Sequence, residues 1–227
     1  RLWWDDKPLR SPGLACFNEG KYQFGEIAWS RARLYPREIN NRYWSHLSTQ
    51  PLNPSLGPAR HTADLVYSHL TTLIVQYSAE DQLIIAIPGT MGPKQLSLLV
   101  GILKTLPIRT SGVVHRSALI GASVGKSCLH VELQLHQTVV TKITVQNGIA
   151  EALESFSLPG RGLISILAQI SELLGHQFVE QTRFDPQRRA QSEQDLYDQI
   201  PEMLVGLHSQ GEYSLTIEGH TAQTTKE

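Results

Sequence analysis

Few side chains in this sequence stand at spacings that could do chemistry. GASVGKS, residues 121–127, comes first because it invites a phosphate-cradling loop. A P-loop needs four residues between its first glycine and the Gly-Lys pair, which puts that glycine at position 120, where the chain has Ile120. Such a loop also follows a strand and opens a helix. Here helix-like residues precede and the strand-like LHVELQL follows, so the stretch reads as a helix ending at Gly125 with Lys126 beside its last carbonyls. His130, Glu132 and His136 alternate onto one face. On a straight strand the two histidines would stand about 20 Å apart, too far for one metal ion. The other histidines lack ligand spacing, and neither a metal site nor a catalytic residue is expected. Ser11, Ser117 and Ser123 lack the G-x-S-x-G turn of a hydrolase nucleophile. Arg183-Phe184-Asp185-Pro186, followed by Arg188-Arg189, reads as a loop and helix start with Asp185 as the cap, or alternatively as a partner-docking corner.

The elements that must position these groups alternate between strand and helix. Residues 1–30 predict short strands with turns at Asp5-Asp6-Lys7 and Asn18-Glu19-Gly20. Scattered prolines make residues 31–60 irregular with short helices, and residues 64–75 form a helix with Val66, Leu70, Leu73 and Ile74 on one face. LIIAIPG (residues 83–89) is a buried strand. The helix after it carries Leu96, Leu99, Leu103 and Leu106 on one side, as in a parallel-sheet unit. Residues 129–145 form one long strand or a hairpin, with a turn at Asn147-Gly148. Two amphipathic helices follow, one through Leu163, Ile164, Leu167 and Ile170. The other runs through Leu196, Tyr197, Ile200, Met203, Leu204 and Leu207, with Pro201 expected to kink or restart it. A strand EYSLTIEG precedes a polar tail. The fold class is α/β.

Bulk properties narrow the function classes. The chain has 227 residues, net charge −1 and 18% charged residues, so it offers no basic patch for nucleic acid. No apolar run reaches the ~18 residues needed to span a bilayer, so no membrane partner is expected. Two cysteines, Cys16 and Cys128, far apart in sequence, predict reduced thiols and a cytoplasmic location. The chain begins Arg1-Leu2-Trp3-Trp4 without methionine, as a trimmed piece of a longer protein would. Trp29, Tyr43 and Trp44 could form a protein-partner surface, although burial is the commoner fate of tryptophan.

Residues 82–125 resemble a segment of the Hsp70 nucleotide-binding domain, in which a strand ending in VPA leads into a helix and then into INEPTAAALAYG. Upstream, Pro12, Ala15 or Cys16, Phe17, Gly25, Ala28 and Pro36 match the family in order. Downstream, Asn147-Gly148-Ile149, Gly160, HQFVEQ and YSLTIEG do the same. The resemblance covers nearly the whole chain at low identity. It implies a partial actin/Hsp70-like (ribonuclease H-like) two-lobed fold, with residues 1–127 in the first lobe and 128–227 in part of the second. The family's first phosphate loop would precede Arg1 and its adenosine loop would follow Glu227.

The same resemblance implies ATP with magnesium, yet the matching positions have changed. The second phosphate loop, DLGGGT in the family, corresponds to residues 133–138, with Leu135, His136 and Gln137 in place of glycines. The catalytic lysine of AKR falls at Trp44, the glutamate of NEPT at Arg116, and the adenosine-side KR pair at Leu204 and Val205. In an α/β protein outside the family, Trp44 and Leu204 would be core residues and Arg116 a solvated helix residue. The resemblance therefore implies a pseudoenzyme with a degenerate ATPase site, chaperone-like or a scaffold, working through protein partners. The alternative is an active Hsp70-type chaperone or actin-like ATPase whose remaining loops lie outside this chain.

Overall fold

A computed structural model describes residues 2–4, 7–75 and 82–226. Strand β1 (Leu2–Trp4) pairs with β2 (Lys7–Leu9), a strand not expected from the sequence; the turn predicted at Asp5 and Asp6 lies outside the described residues. β3 (Ala15–Asn18) and β4 (Lys21–Phe24) form the predicted hairpin, with Glu19 and Gly20 at positive φ in its turn. Helix α1 (Glu26–Trp29) follows, and β5 (Ile39–Asn40) pairs with the other edge of β3. Residues 51–61 are ordered as a hairpin, β6 (Pro51–Leu56) with β7 (Ala59–His61), where the sequence read as irregular. Pro51 and Pro54 sit on β6, a strand with only one partner, and Pro58 lies in the turn.

Helix α2 (Thr62–Ile74) starts where Asp64 Oδ2 accepts hydrogen bonds from the Arg60 and His61 N–H groups. It buries Val66, Leu70 and Ile74 as predicted, with Leu65 and His69 beside them. The parallel unit is present. β8 (Gln82–Ile87) leads through α3 (Pro93–Leu103) to β9 (Arg109–His115), and the two strands pair parallel. α4 (Arg116–Val124) ends at Gly125, whose φ of 73° is the left-handed conformation that a side chain would disfavour. β10 (Cys128–Leu133), β11 (Gln137–Gln146) and β12 (Ile149–Pro159) form an antiparallel meander. This realises the hairpin alternative for residues 129–145. α4 lies on this meander, although it precedes the lobe boundary expected at residue 127.

Helices α5 (Leu163–Thr182) and α6 (Ala190–Gln210) pack together, and the hairpin of β13 (Glu212–Ile217) and β14 (His220–Thr225) closes against them. The expected polar tail is thus a strand. α6 runs unbroken through Pro201. The proline occupies the exposed side, while Leu196, Tyr197, Ile200 and Met203 are buried on the other. At roughly 1.5–3 kcal/mol per buried side chain, that face outweighs the ~3 kcal/mol cost of an interior proline.

The fold is mixed α/β, built of sheets of two or three strands. One apolar cluster draws on residues 15–108 and centres on Tyr43, Leu65, Val66 and Leu99; another draws on residues 167–222 and centres on Phe178, Leu196, Ile200 and Leu215. Cys16 is buried and Cys128 partly so, and both are free thiols. Among the described residues no helix is long and apolar enough to cross a membrane.

Phe178 is fully buried, whereas Val205 is largely exposed. Phe178→Ala should cost about 3–5 kcal/mol and Val205→Ala less than about 0.5 kcal/mol, read from urea unfolding midpoints.

Candidate functional site

The parallel strands β8 and β9 end side by side at Ile87 and His115, and the carboxyl end of such a pair is where α/β proteins place their ligands. α4 begins there. Its cap, His115, accepts the Ser117 N–H at Nδ1 (3.2 Å), and the buried Ser117 hydroxyl meets His130 Nδ1 at 3.0 Å. Burial depresses the His115 pKa, with Glu132 opposing and Arg116 and His130 adding to the shift. Arg116 reaches across to β10 and forms a two-pronged ion pair with Glu132, donating from Nε to Oε2 at 2.8 Å and from Nη2 to Oε1.

The turn between β10 and β11 continues this polar chain. Gln134 Nε2 donates to Glu132 Oε1, Gln137 Nε2 donates to Gln134 Oε1 (2.9 Å), and the same Gln137 amide reaches Thr90 Oγ1 at 3.4 Å. The backbone carbonyls of the turn are equally engaged. The Gln134 N–H donates to the Gln137 carbonyl, the Gly160 N–H to His136, and the Leu163 and Ile164 N–H groups to Gln134 and Leu135. The last two belong to the first turn of α5, so two of the donors that its N-terminus could offer an anion are bonded to protein carbonyls. Gly162 lets the two segments touch: a Cβ there would lie 2.3–2.5 Å from backbone atoms of Leu135, His136 and Gln137.

The turn also docks on the first half of the chain. His136 Nε2 donates to the Asn41 carbonyl at 2.8 Å; burial lowers its pKa, and that carbonyl bond opposes the shift. Trp44 and Leu135 flank Gly13, where a Cβ would stand 3.1 and 3.4 Å from their side chains. The structure therefore brings together Trp44, Arg116, Leu135, His136 and Gln137 around one turn. Leu204 and Val205 are not part of it; they are exposed on α6, whose packing neighbours are α5, β13 and the short turn of 3-10 helix at Pro186–Arg188. His130 and His136 do not share a strand, because β10 ends at Leu133, and among the described residues no group of three His, Cys, Asp or Glu could hold a metal. Of two recesses of about 370 and 330 Å³, one lies beside residues 108–113 and the other runs against β6 as far as Asn41.

A second cluster surrounds His69. Trp44 Nε1 (3.1 Å) and Tyr43 OH (2.7 Å) both meet its Nδ1, and Ser11 Oγ meets Nε2 at 2.7 Å. Indole N–H can only donate, so Nδ1 is the acceptor and the ring hydrogen sits on Nε2, donating to Ser11. A histidine in this tautomer cannot take the Ser11 proton, so the pair is not a nucleophile and base. Phe24 stacks on the ring at 4.7 Å. Trp29 lies against Tyr197, Tyr43 is fully buried and Trp44 is partly buried, so these aromatics pack internally. Asp185 accepts the Gln187 N–H as the predicted cap.

The sequence reading missed Gln134, Thr90, Asn41 and His69. Only His69 carried a signal, as a polar residue three positions beyond Val66 on the buried face of its helix. No protein-family model matches the chain. A search of curated proteins returns no match.

Burial lowers the His69 pKa from the ordinary 6.5 to about 4. The unfolded chain therefore binds the extra proton first, and stability present above pH 6.5 is lost as pH falls towards 4. The loss is about 3 kcal/mol. The difference in unfolding free energy between the chain and His69→Gln should narrow by that amount over this window, and an unchanged difference would contradict the buried neutral ring.

Proposed function

We propose that the chain is a divergent actin/Hsp70-type protein whose ATP site is closed, and that it works in the cytoplasm as a chaperone-like or scaffold protein by binding protein partners. Residues 1–127 would form one lobe and residues 128–227 part of the other. One observation carries the reading: the turn matched to the family's second phosphate loop has the carbonyls of residues 134–137, the Gln134 N–H and the side chains of Gln134, His136 and Gln137 bonded within the protein. A phosphate needs free N–H groups at close approach, and a magnesium shell needs a free carboxylate. Here the Leu163 and Ile164 N–H groups are engaged by turn carbonyls, and Glu132 is neutralised by Arg116 and bonded by Gln134. Trp44 stands where a catalytic lysine would be and packs against the apolar core. ATP with magnesium does not fit these residues, and no catalytic step is assigned to them.

Calorimetric titration with Mg-ATP and Mg-ADP, alongside thermal unfolding, tests this. A site with a Kd of about 10 μM would add about 2.7 kcal/mol at about 1 mM nucleotide and raise Tm by roughly 5–10 °C. The expected result is no heat and a Tm shift within about 1 °C. Micromolar binding would instead favour an active ATPase.

A further inference from the structure

Among the described residues, the three-stranded meander β10–β11–β12 has a helix packed on one face only. α4 packs on the inner face, where Gly121 lies against Ile143 and Ala150. Strand alternation places Leu129, Val131 and Leu133 on the outer face, joined in register by Val140 and Phe156 and by Thr138 and Leu158. Leu129 is 67%, Val131 64% and Phe156 63% exposed, and Leu133 and Leu158 are about half exposed. Contiguous apolar surface of this extent marks an interaction site. The charges on the same face are Lys142 with its cross-strand neighbour Glu154, and Glu151 beyond the bulge.

We propose that a second copy of this chain covers this face, the two meanders packing face to face about a two-fold axis. The exposed apolar side chains present on the order of 600 Å², and the stems of Lys142 and Glu154 bring the face towards the roughly 800 Å² per partner of a standard interface. The charge pattern is self-complementary: a two-fold axis can set Lys142 of each copy against Glu154 of the other, at the rim of an apolar centre. A net charge of −1 puts little repulsion between copies. Two sheet faces at the usual ~10 Å separation would interdigitate Val131, Phe156 and their neighbours. The inference goes beyond the nucleotide reading and is independent of it, because these apolar side chains take no part in the hydrogen bonds of the 134–137 turn.

Sedimentation equilibrium from about 1 to about 100 μM tests it, with Phe156→Glu, Lys142→Glu, Glu154→Lys and the Lys142→Glu/Glu154→Lys double variant. The chain should dimerise in the micromolar range. Phe156→Glu should weaken dimerisation at least ~100-fold and each single reversal ~10-fold, with the double reversal returning to within ~3-fold of the original. All three positions are exposed, so the variants should keep the parent Tm. A monomer across the whole range would overturn the proposal. So would a dimer indifferent to Phe156→Glu, or a double reversal no better than the singles.

Discussion

The turn between β10 and β11 is the constraint on which the middle of the molecule depends. A buried backbone donor or acceptor without a partner costs as much as a lost hydrogen bond, so a tight junction of three elements forms only if its polar groups are mutually engaged. Here the first turn of α5 bonds to the carbonyls of residues 134 and 135, the end of β12 bonds to residue 136, and His136 bonds to Asn41. The contact needs Gly162, where any side chain would collide with the turn backbone. This docking engages the carbonyls of the turn and takes up the Leu163 and Ile164 N–H groups, two of the donors that the start of a helix would otherwise offer a phosphate.

A second junction ties the C-terminal helices to the segment after α1. Trp29 stacks on Tyr197 at 5.3 Å, and Arg33 lies over the same tyrosine while pairing with Glu193. Gln194, itself buried, accepts the Arg33 N–H and donates to the Trp29 carbonyl, so a polar side chain in an apolar contact has its amide engaged on both sides. Burial raises the Tyr197 pKa, with Arg33 opposing that shift. Trp29 packs against two apolar clusters at once and links the small one around Leu14 to the large C-terminal one.

Much of the secondary structure was legible because it rests on periodicity. The β8–α3–β9 unit, α2 and the buried face of α6 follow from apolar spacing alone. Where the sequence misled, tertiary packing decided. Pro201 does not break α6, because the face opposite it is buried. Residues 51–61 form a hairpin despite their prolines, and the polar 220–225 segment pairs because β13 offers it an edge. The candidate site was legible only in part. Trp44, Arg116, Leu135, His136 and Gln137 were singled out and do come together, while Leu204 and Val205 do not. Gln134, Thr90 and Asn41 carry no pattern of their own, since their roles exist only once the turn is folded against its neighbours.

The central claim is that the Gln134, Gly160, Leu163 and Ile164 N–H groups around the 134–137 turn are taken up by the turn's own carbonyls. Amide hydrogen exchange at Gln134, Gly160, Leu163 and Ile164, followed by NMR with and without Mg-ATP, reads it directly. The account predicts slow exchange at all four, unchanged by nucleotide. Fast exchange at Leu163 and Ile164 that slows when Mg-ATP is added would contradict it.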